Sequence, residues 1–220
     1  MALDPSYERR TGSTARGGNC QAAKNSGGAI YLQMEYRSRH AQAGRSRGVT
    51  RRTLRLGVIA DTHGLYDPAV EPHFASVSEI LHAGDIGGKD VIQCLRRLAP
   101  VIAVSGNVDG YERSGWARRV VLRRGGMTIV LCHVLYENGR MNSEVQAWLD
   151  REQPDVCIFG HSHRPTIDRR GRTILFNPGS AGPKRFSLPR GVGILTITGG
   201  TAVPSLIQLE ARAWKRAEPK

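Results

Sequence analysis

The stretch Leu54-Arg55-Leu56-Gly57-Val58-Ile59-Ala60-Asp61-Thr62-His63-Gly64 decides the fold. A short apolar run without helical spacing reads as a buried strand, and this one stops in a carboxylate, a hydroxyl, an imidazole and a glycine. Four later runs repeat the device. Ile80-Leu81-His82-Ala83 leads into Gly84-Asp85, and Val101-Ile102-Ala103-Val104 into Gly106-Asn107-Val108-Asp109. Met127-Thr128-Ile129-Val130-Leu131 leads into Cys132-His133, and Val156-Cys157-Ile158-Phe159 into Gly160-His161-Ser162-His163. Each predicted strand therefore ends in a side chain able to hold a metal ion.

Two of the connections have helical spacing. Val91, Cys94, Leu95 and Leu98 follow i, i+3, i+4, i+7, with Asp90 placed to cap the start and Pro100 to stop the run. Val145, Trp148 and Leu149 repeat the pattern, with Ser143 and Gln146 in capping-box register and Pro154 beyond the end. Strands alternating with helices predict an α/β domain. Arg123-Arg124-Gly125-Gly126, Asp168-Arg169-Arg170-Gly171 and Thr198-Gly199-Gly200-Thr201 sit between apolar stretches and predict hairpins. The whole is read as two mixed sheets packed face to face, with helices outside.

From Asp61 the steps to Asp85, Asn107, His133 and His161 are 24, 22, 26 and 28 residues, about one strand-crossover-strand unit each. Parallel strands with that period bring their carboxyl ends to one edge, where α/β sheets place their ligands. Gly64, Gly84, Gly106 and Gly160 flank the candidate ligands and let the chain turn sharply off the strands. Seven mixed oxygen and nitrogen donors exceed the needs of one tetrahedral zinc and suit two ions sharing a carboxylate. Such a pair clamps a phosphoryl group during in-line displacement, so phosphate-ester hydrolysis is the expected reaction.

The rest of the chain bounds this reading. With 220 residues, 40% of them hydrophobic and 6% aromatic, it can bury an ordinary core. It lacks the apolar run of a membrane span or of a secretory signal, so we expect a soluble, cytoplasmic protein without a membrane partner. Cys20, Cys94, Cys132 and Cys157 are scattered and suggest neither a zinc knuckle nor a disulfide framework. Of the net charge of +13, residues 1–55 carry +8, from 11 Lys/Arg against 3 Asp/Glu. We read 1–52 as a disordered basic extension, or as sequence ahead of a misplaced start with Met34 as the later one. A transit peptide or a nucleic-acid-binding arm is the less favoured reading. The domain is expected over 53–212, followed by a short tail over 213–220.

The five motifs, in this order, resemble the calcineurin-like metallophosphoesterase superfamily. The short chain and Phe176-Asn177-Pro178-Gly179-Ser180-Ala181-Gly182-Pro183 are similar to its small YfcE-type phosphodiesterases of bacteria and archaea. The resemblance implies a four-layer αββα sandwich. It implies one divalent ion on Asp61, His63, Asp85 and His163 and a second on Asp85, Asn107, His133 and His161, with Asp85 as the bridge. Manganese is the expected metal, with iron, nickel, cobalt and zinc as alternatives, and a bridging hydroxide attacks phosphorus. Asp85, Asn107 and His133 then serve catalysis through that hydroxide and by positioning the phosphate. The implied substrate is a small phosphodiester or nucleotide-type molecule.

Two positions depart from the superfamily pattern. Val108 stands where many members have a histidine able to protonate the leaving group, which favours leaving oxygens that need little acid help. Val134 follows His133 where a glycine is usual, which makes the backbone at His133 the least determined part of the site. His82 and Asp109 are each either orienting groups or ordinary structural ones, the loop from Asn177 is read as a tight turn, and Arg164, Arg185 and Arg190 are weak phosphate-holding candidates. A scaffold of the same fold, like the retromer coat subunit, is the alternative function. Neither natural substrate nor oligomeric state is legible.

Overall fold

The computed structural model describes residues 53–110, 114–185 and 187–209, and three short strands before them: β1 (Gln21–Lys24), β2 (Ile30–Gln33) and β3 (Tyr36–Arg37). The first half of the domain contains β4 (Leu54–Ile59), α1 (Glu71–Phe74), β5 (Glu79–His82), α2 (Lys89–Arg96) and β6 (Val101–Ala103). Next come β7 (Arg119–Arg124), β8 (Met127–Cys132), the ribbon β9 (Tyr136–Glu137) and β10 (Arg140–Met141), α3 (Ser143–Glu152) and β11 (Val156–Ile158). The chain closes with β12 (Thr166–Arg170), β13 (Thr173–Asn177), β14 (Gly191–Thr198) and β15 (Thr201–Gln208).

The larger sheet is ordered β1-β2-β15-β14-β4-β5-β6, with β3 also on β15, and the smaller one β12-β13-β11-β8-β7. β4, β5 and β6 run parallel, as do β8, β11 and β13, and antiparallel strands flank each set. The three expected hairpins close β7 to β8, β12 to β13 and β14 to β15, with glycines at positive φ in each turn. Both sheets are mixed, as expected.

Three apolar layers account for the stacking. Leu56, Val58 and Leu81 of the larger sheet meet Ile129, Leu131, Ile158 and Phe176 of the smaller one between the sheets. On the outer face of the larger sheet Ile59, Ile80 and Ile194 pack on Phe74, Val91 and Leu95 of α1 and α2. On the outer face of the smaller sheet Val130, Cys157 and Leu175 pack on Val145, Trp148 and Leu149 of α3. The central strands are covered on both faces, which is why they read as continuous apolar runs; each full burial contributes about 1.5–3 kcal/mol. The order is helix, sheet, sheet, helix.

The structure corrects three local expectations. Gly88 caps α2 and Asp90 lies inside its first turn, where a carboxylate favours the helix dipole without capping. α3 is capped by Asn142, whose Oδ1 accepts from the N–H groups of Glu144 and Val145 at 3.1 and 3.2 Å, so Ser143 is its first helical residue. Within the stretch expected to be disordered, β1, β2 and β3 are strands, with β2 and β3 pairing the free edge of β15; an open strand edge offers backbone partners that composition cannot reveal. The remainder of 1–52 and the 213–220 tail lie outside the described residues.

Candidate metal centre

The five motifs leave the carboxyl ends of β4, β5 and β6 in one sheet and of β8 and β11 in the other, so they meet across one end of the sandwich. Backbone bonds lace them: Asp61 N–H to Gly84 O at 3.0 Å, His63 N–H to Asp85 O at 2.9 Å, and Gly160 N–H to His133 O at 3.0 Å. The turns off the strands are tight. Of the seven described non-glycine residues with positive φ, five are candidate ligands: Asp61, His63, Asp85, His161 and His163, at 47–69°. Asp and His tolerate this region better than most residues, yet each occurrence costs on the order of 1 kcal/mol and persists where the surroundings enforce it.

Gly106 shows how closely the loops approach. A Cβ there would lie 2.2 Å from Asp85 N and Oδ1, so no larger residue fits beside that carboxylate. At Gly84 a Cβ would lie 2.7 Å from His133 Nδ1. His133 and Val134 both have negative φ, so the valine that replaces the usual glycine is not strained.

Five of the seven candidates converge at contact distance. His63 Nε2 lies 3.2 Å from His163 Nε2 and 3.8 Å from Asp85 Oδ2, and His163 Nε2 lies 3.4 Å from Asp61 Oδ1. His133 Nε2 lies 3.3 Å from Asp85 Oδ1 and 4.0 Å from Asp61 Oδ1. The donors form two groups, Asp61 with His63 and His163, and Asp61 with Asp85 and His133. Asp61 belongs to both groups, and Asp85 turns one oxygen toward His63 and the other toward His133. His161 and Asn107 sit outside these groups: the His161 ring stands 5.4 Å from the His133 ring, and Asn107 lines a cavity together with His133.

Hydrogen bonding indicates which nitrogen is free. The His133 Nδ1–H donates to Ala83 O at 2.8 Å, which leaves the Nε2 lone pair facing a carboxylate, buried and without a hydrogen-bond partner among the described residues. A lone pair opposite a carboxylate oxygen is tolerable only with a proton or a cation between them. Burial opposes charge on His133, but Asp85 and Asp61 outweigh it and raise its pKa. Burial lifts Asp61 to about 7 against the pull of His133, whereas in Asp85 the burial penalty is overcome by His133, the Val108 N–H and His63, leaving it at about 2. Burial lowers His63, His161 and His163, the last to about 4, and the neighbouring cations add to this. His63, His161 and His163 are thus kept neutral, whereas the two carboxylates draw positive charge onto or beside His133.

A second set of side chains fixes the loops. Thr62 Oγ1 donates to Ile86 O at 2.9 Å and so receives His82 Nε2–H at 3.0 Å, while the Gly84 N–H donates to His82 Nδ1 at 3.3 Å. His82, fully buried and held neutral chiefly by that burial with its pKa at about 3, is thus an orienting group. The Asp109 carboxylate accepts from the N–H groups of Ile86, Gly87 and Gly106 at 3.2, 2.9 and 2.7 Å and ties two ligand loops together. Buried Asn177 donates to Gly160 O at 2.9 Å and to Ser162 Oγ at 3.1 Å, and Ser180 Oγ donates to Asp61 O at 2.9 Å. Sequence reasoning missed Thr62 and Ser180, which carried no signal beyond adjacency to a motif. Arg190 is no phosphate holder: its guanidinium is taken by Asp67 and by the carbonyls of Ala181 and Gly182, all at 2.7 Å.

Comparison with known proteins identifies the class. Residues 54–200 match the calcineurin-like phosphoesterase superfamily domain, and the chain belongs to that superfamily of metal-dependent phosphoesterases. It is 38% identical over 138 residues to the probable metallophosphoesterase MJ0623 of Methanocaldococcus jannaschii, covering 58% of this chain and 68% of that protein. Its fold is similar to Vacuolar Protein Sorting 29 from Cryptosporidium parvum, with TM-score 0.57, 18% identity, and coverage of 72% and 99% of the two chains. It is also similar to an archaeal phosphodiesterase, with TM-score 0.52, 22% identity, and coverage of 66% and 99%. Among the described residues no helix is long and apolar enough to cross a membrane.

Proposed function

We propose that this protein is a phosphodiesterase that works with two divalent ions, manganese foremost, in the cytoplasm. One ion is held by Asp61, His63, Asp85 and His163 and the other by Asp85, Asn107, His133 and His161. The carrying observation is the buried His133 Nε2, which faces Asp85 Oδ1 at 3.3 Å with no proton donor to satisfy it, beside the facing Nε2 atoms of His63 and His163. Neutral imidazoles and carboxylates of this kind fit manganese, iron, cobalt, nickel or zinc.

When bound, such ions supply a water activated near neutral pH and a positive clamp for phosphoryl oxygens. The chain supplies the rest. The Ala83 carbonyl sets the His133 tautomer, Asp109 and Asn177 hold the ligand loops in register, and strained φ angles preset the donors. Val108, 54% exposed at the rim, has no proton to give, so the substrate's leaving group departs unassisted at that position. An activated diester suits this better than an alkyl monoester.

The test is hydrolysis of bis(p-nitrophenyl) phosphate by metal-stripped protein with and without added manganese, beside an Asp85→Asn variant. Turnover that needs metal and vanishes in the variant is the expected result. The likeness to Vacuolar Protein Sorting 29 favours a second reading, a metal-binding scaffold without turnover. Tight metal binding with no hydrolysis under manganese, nickel, cobalt or zinc decides for it.

A further inference from the structure

A cavity of about 190 Å³ opens beside the centre. It lies between the loop carrying Ser105 and Asn107, the Arg118–Arg119 entry to β7, His133 at the end of β8, and the start of α3 at Asn142 and Glu144. Two candidate ligands, Asn107 and His133, are among its lining residues, so a group esterified to a phosphate held there is within reach of it.

Its size limits the occupant. Sites that enclose drug-sized ligands measure about 300–1,000 Å³, so this one is small beside them. That suits a short arm better than a large one. Its chemistry limits the occupant further. Arg119 pairs with Glu144 at 2.9 Å, and Asn142 Nδ2 donates to Glu137 Oε2 at 2.8 Å. Two arginines and two glutamates in the lining balance, so a second phosphate finds no excess cation. Among the described residues no Phe, Tyr or Trp lines the cavity, so a nucleobase gains no stacking surface. Glu137 and Glu144, both exposed, instead present carboxylates, acceptors for the hydroxyls of a polyhydroxylated arm, whereas Ser105 is fully buried and the Asn142 amide is engaged by the start of α3 and by Glu137.

Building on the phosphodiesterase reading, we infer that this cavity seats the alcohol arm of a diester made from a small polyol, of glycerol to pentose size. An aryl or lipid arm offers no hydroxyl to Glu137 and Glu144, which are exposed and keep their water, so the wall favours the polyol by the hydrogen bonds it adds.

The test compares p-nitrophenyl glyceryl phosphate with p-nitrophenyl phenyl phosphate, which share one leaving group, on the manganese-loaded full chain. The expected kcat/KM ratio favours the glyceryl ester by about tenfold or more, and Glu144→Leu and Glu137→Leu each bring it toward one. Both positions are exposed, so both variants fold. A ratio near or below one in the unaltered protein, or one unmoved by both substitutions, overturns the inference while leaving the hydrolase reading standing. A second readout needs no turnover: in metal-stripped protein, glyceryl methyl phosphate should shift the backbone amide resonances of Glu144 and Val145, and dimethyl phosphate should not. If neither ester is hydrolysed under any metal the phosphodiesterase reading fails, and equal amide responses to the two probes then remove the cavity proposal as well.

Discussion

Replacing Asp109 by alanine tests whether the ligand loops are held by one carboxylate. Three N–H groups lose their acceptor at once, those of Ile86, Gly87 and Gly106 at 3.2, 2.9 and 2.7 Å. Ile86 and Gly106 are buried, whereas Gly87 is exposed and water replaces its lost bond. An orphaned buried donor costs about 1–3 kcal/mol, so two of them cost about 2–6 kcal/mol. For a domain of this size about 1 kcal/mol moves Tm by about 2–4 °C, which puts the drop between about 4 and about 24 °C. Because Ile86 follows Asp85 and Gly106 precedes Asn107, metal affinity should also weaken by about 10–100-fold. The assay is thermal unfolding of metal-stripped protein, followed by manganese titration, with Asp109→Asn as the partner variant. Asparagine keeps one acceptor oxygen and should recover part of both losses. A Tm within about 1 °C of the unaltered protein, together with unchanged metal affinity, would refute the claim that Asp109 organises the site.

Three further outcomes follow from the geometry. Gly106→Ala places a methyl 2.2 Å from both the Asp85 backbone N and Oδ1, so backbone and carboxylate must both shift; manganese titration should show at least about tenfold weaker binding, and the metal-stripped protein should melt at a lower temperature. Saturating manganese should stabilise the metal-stripped chain by about 2.7 kcal/mol at 100 times Kd, a rise in Tm that a chelator reverses and that Asp85→Asn abolishes; no rise would argue against a metal site. Val108→His introduces a proton donor at an exposed rim position, so kcat for an alkyl ester should increase relative to a p-nitrophenyl ester by about tenfold or more, with the gain lost once the imidazole is fully deprotonated. An unchanged ratio would show that position 108 does not face the leaving group.

Local composition was enough to find the five strands that carry the motifs; four of them are covered on both faces and so must be apolar throughout, as Leu56 to Ala60 and Ile129 to Leu131 are, while β6 is a half-buried end strand. The hairpins were legible because glycine marks turns that need positive φ, as at Gly125 and Gly126 or Gly199 and Gly200. The meeting of Asp61, His63, Asp85, His133 and His163 was legible by residue type and spacing, since the period of a strand-crossover-strand unit predicts shared placement. Helix caps were less so: Asn142 and Ser143 both suit the role, and only the path of the preceding ribbon decides between them.

Other assignments depended on residues far apart in sequence. That Asp85 splits its oxygens between His63 and His133, that Asp109 spans two loops, and that Arg190 is consumed by Asp67 and two carbonyls are products of packing. The strands in the basic extension likewise depend on the open edge of β15, formed more than 150 residues later. Sequence alone determined which chemistry the strand ends could offer, because side-chain identity and alternation are local properties. Tertiary structure decided which lone pair remained free and where charge could be tolerated, because burial and hydrogen-bond partners exist only after the two sheets have closed on one another.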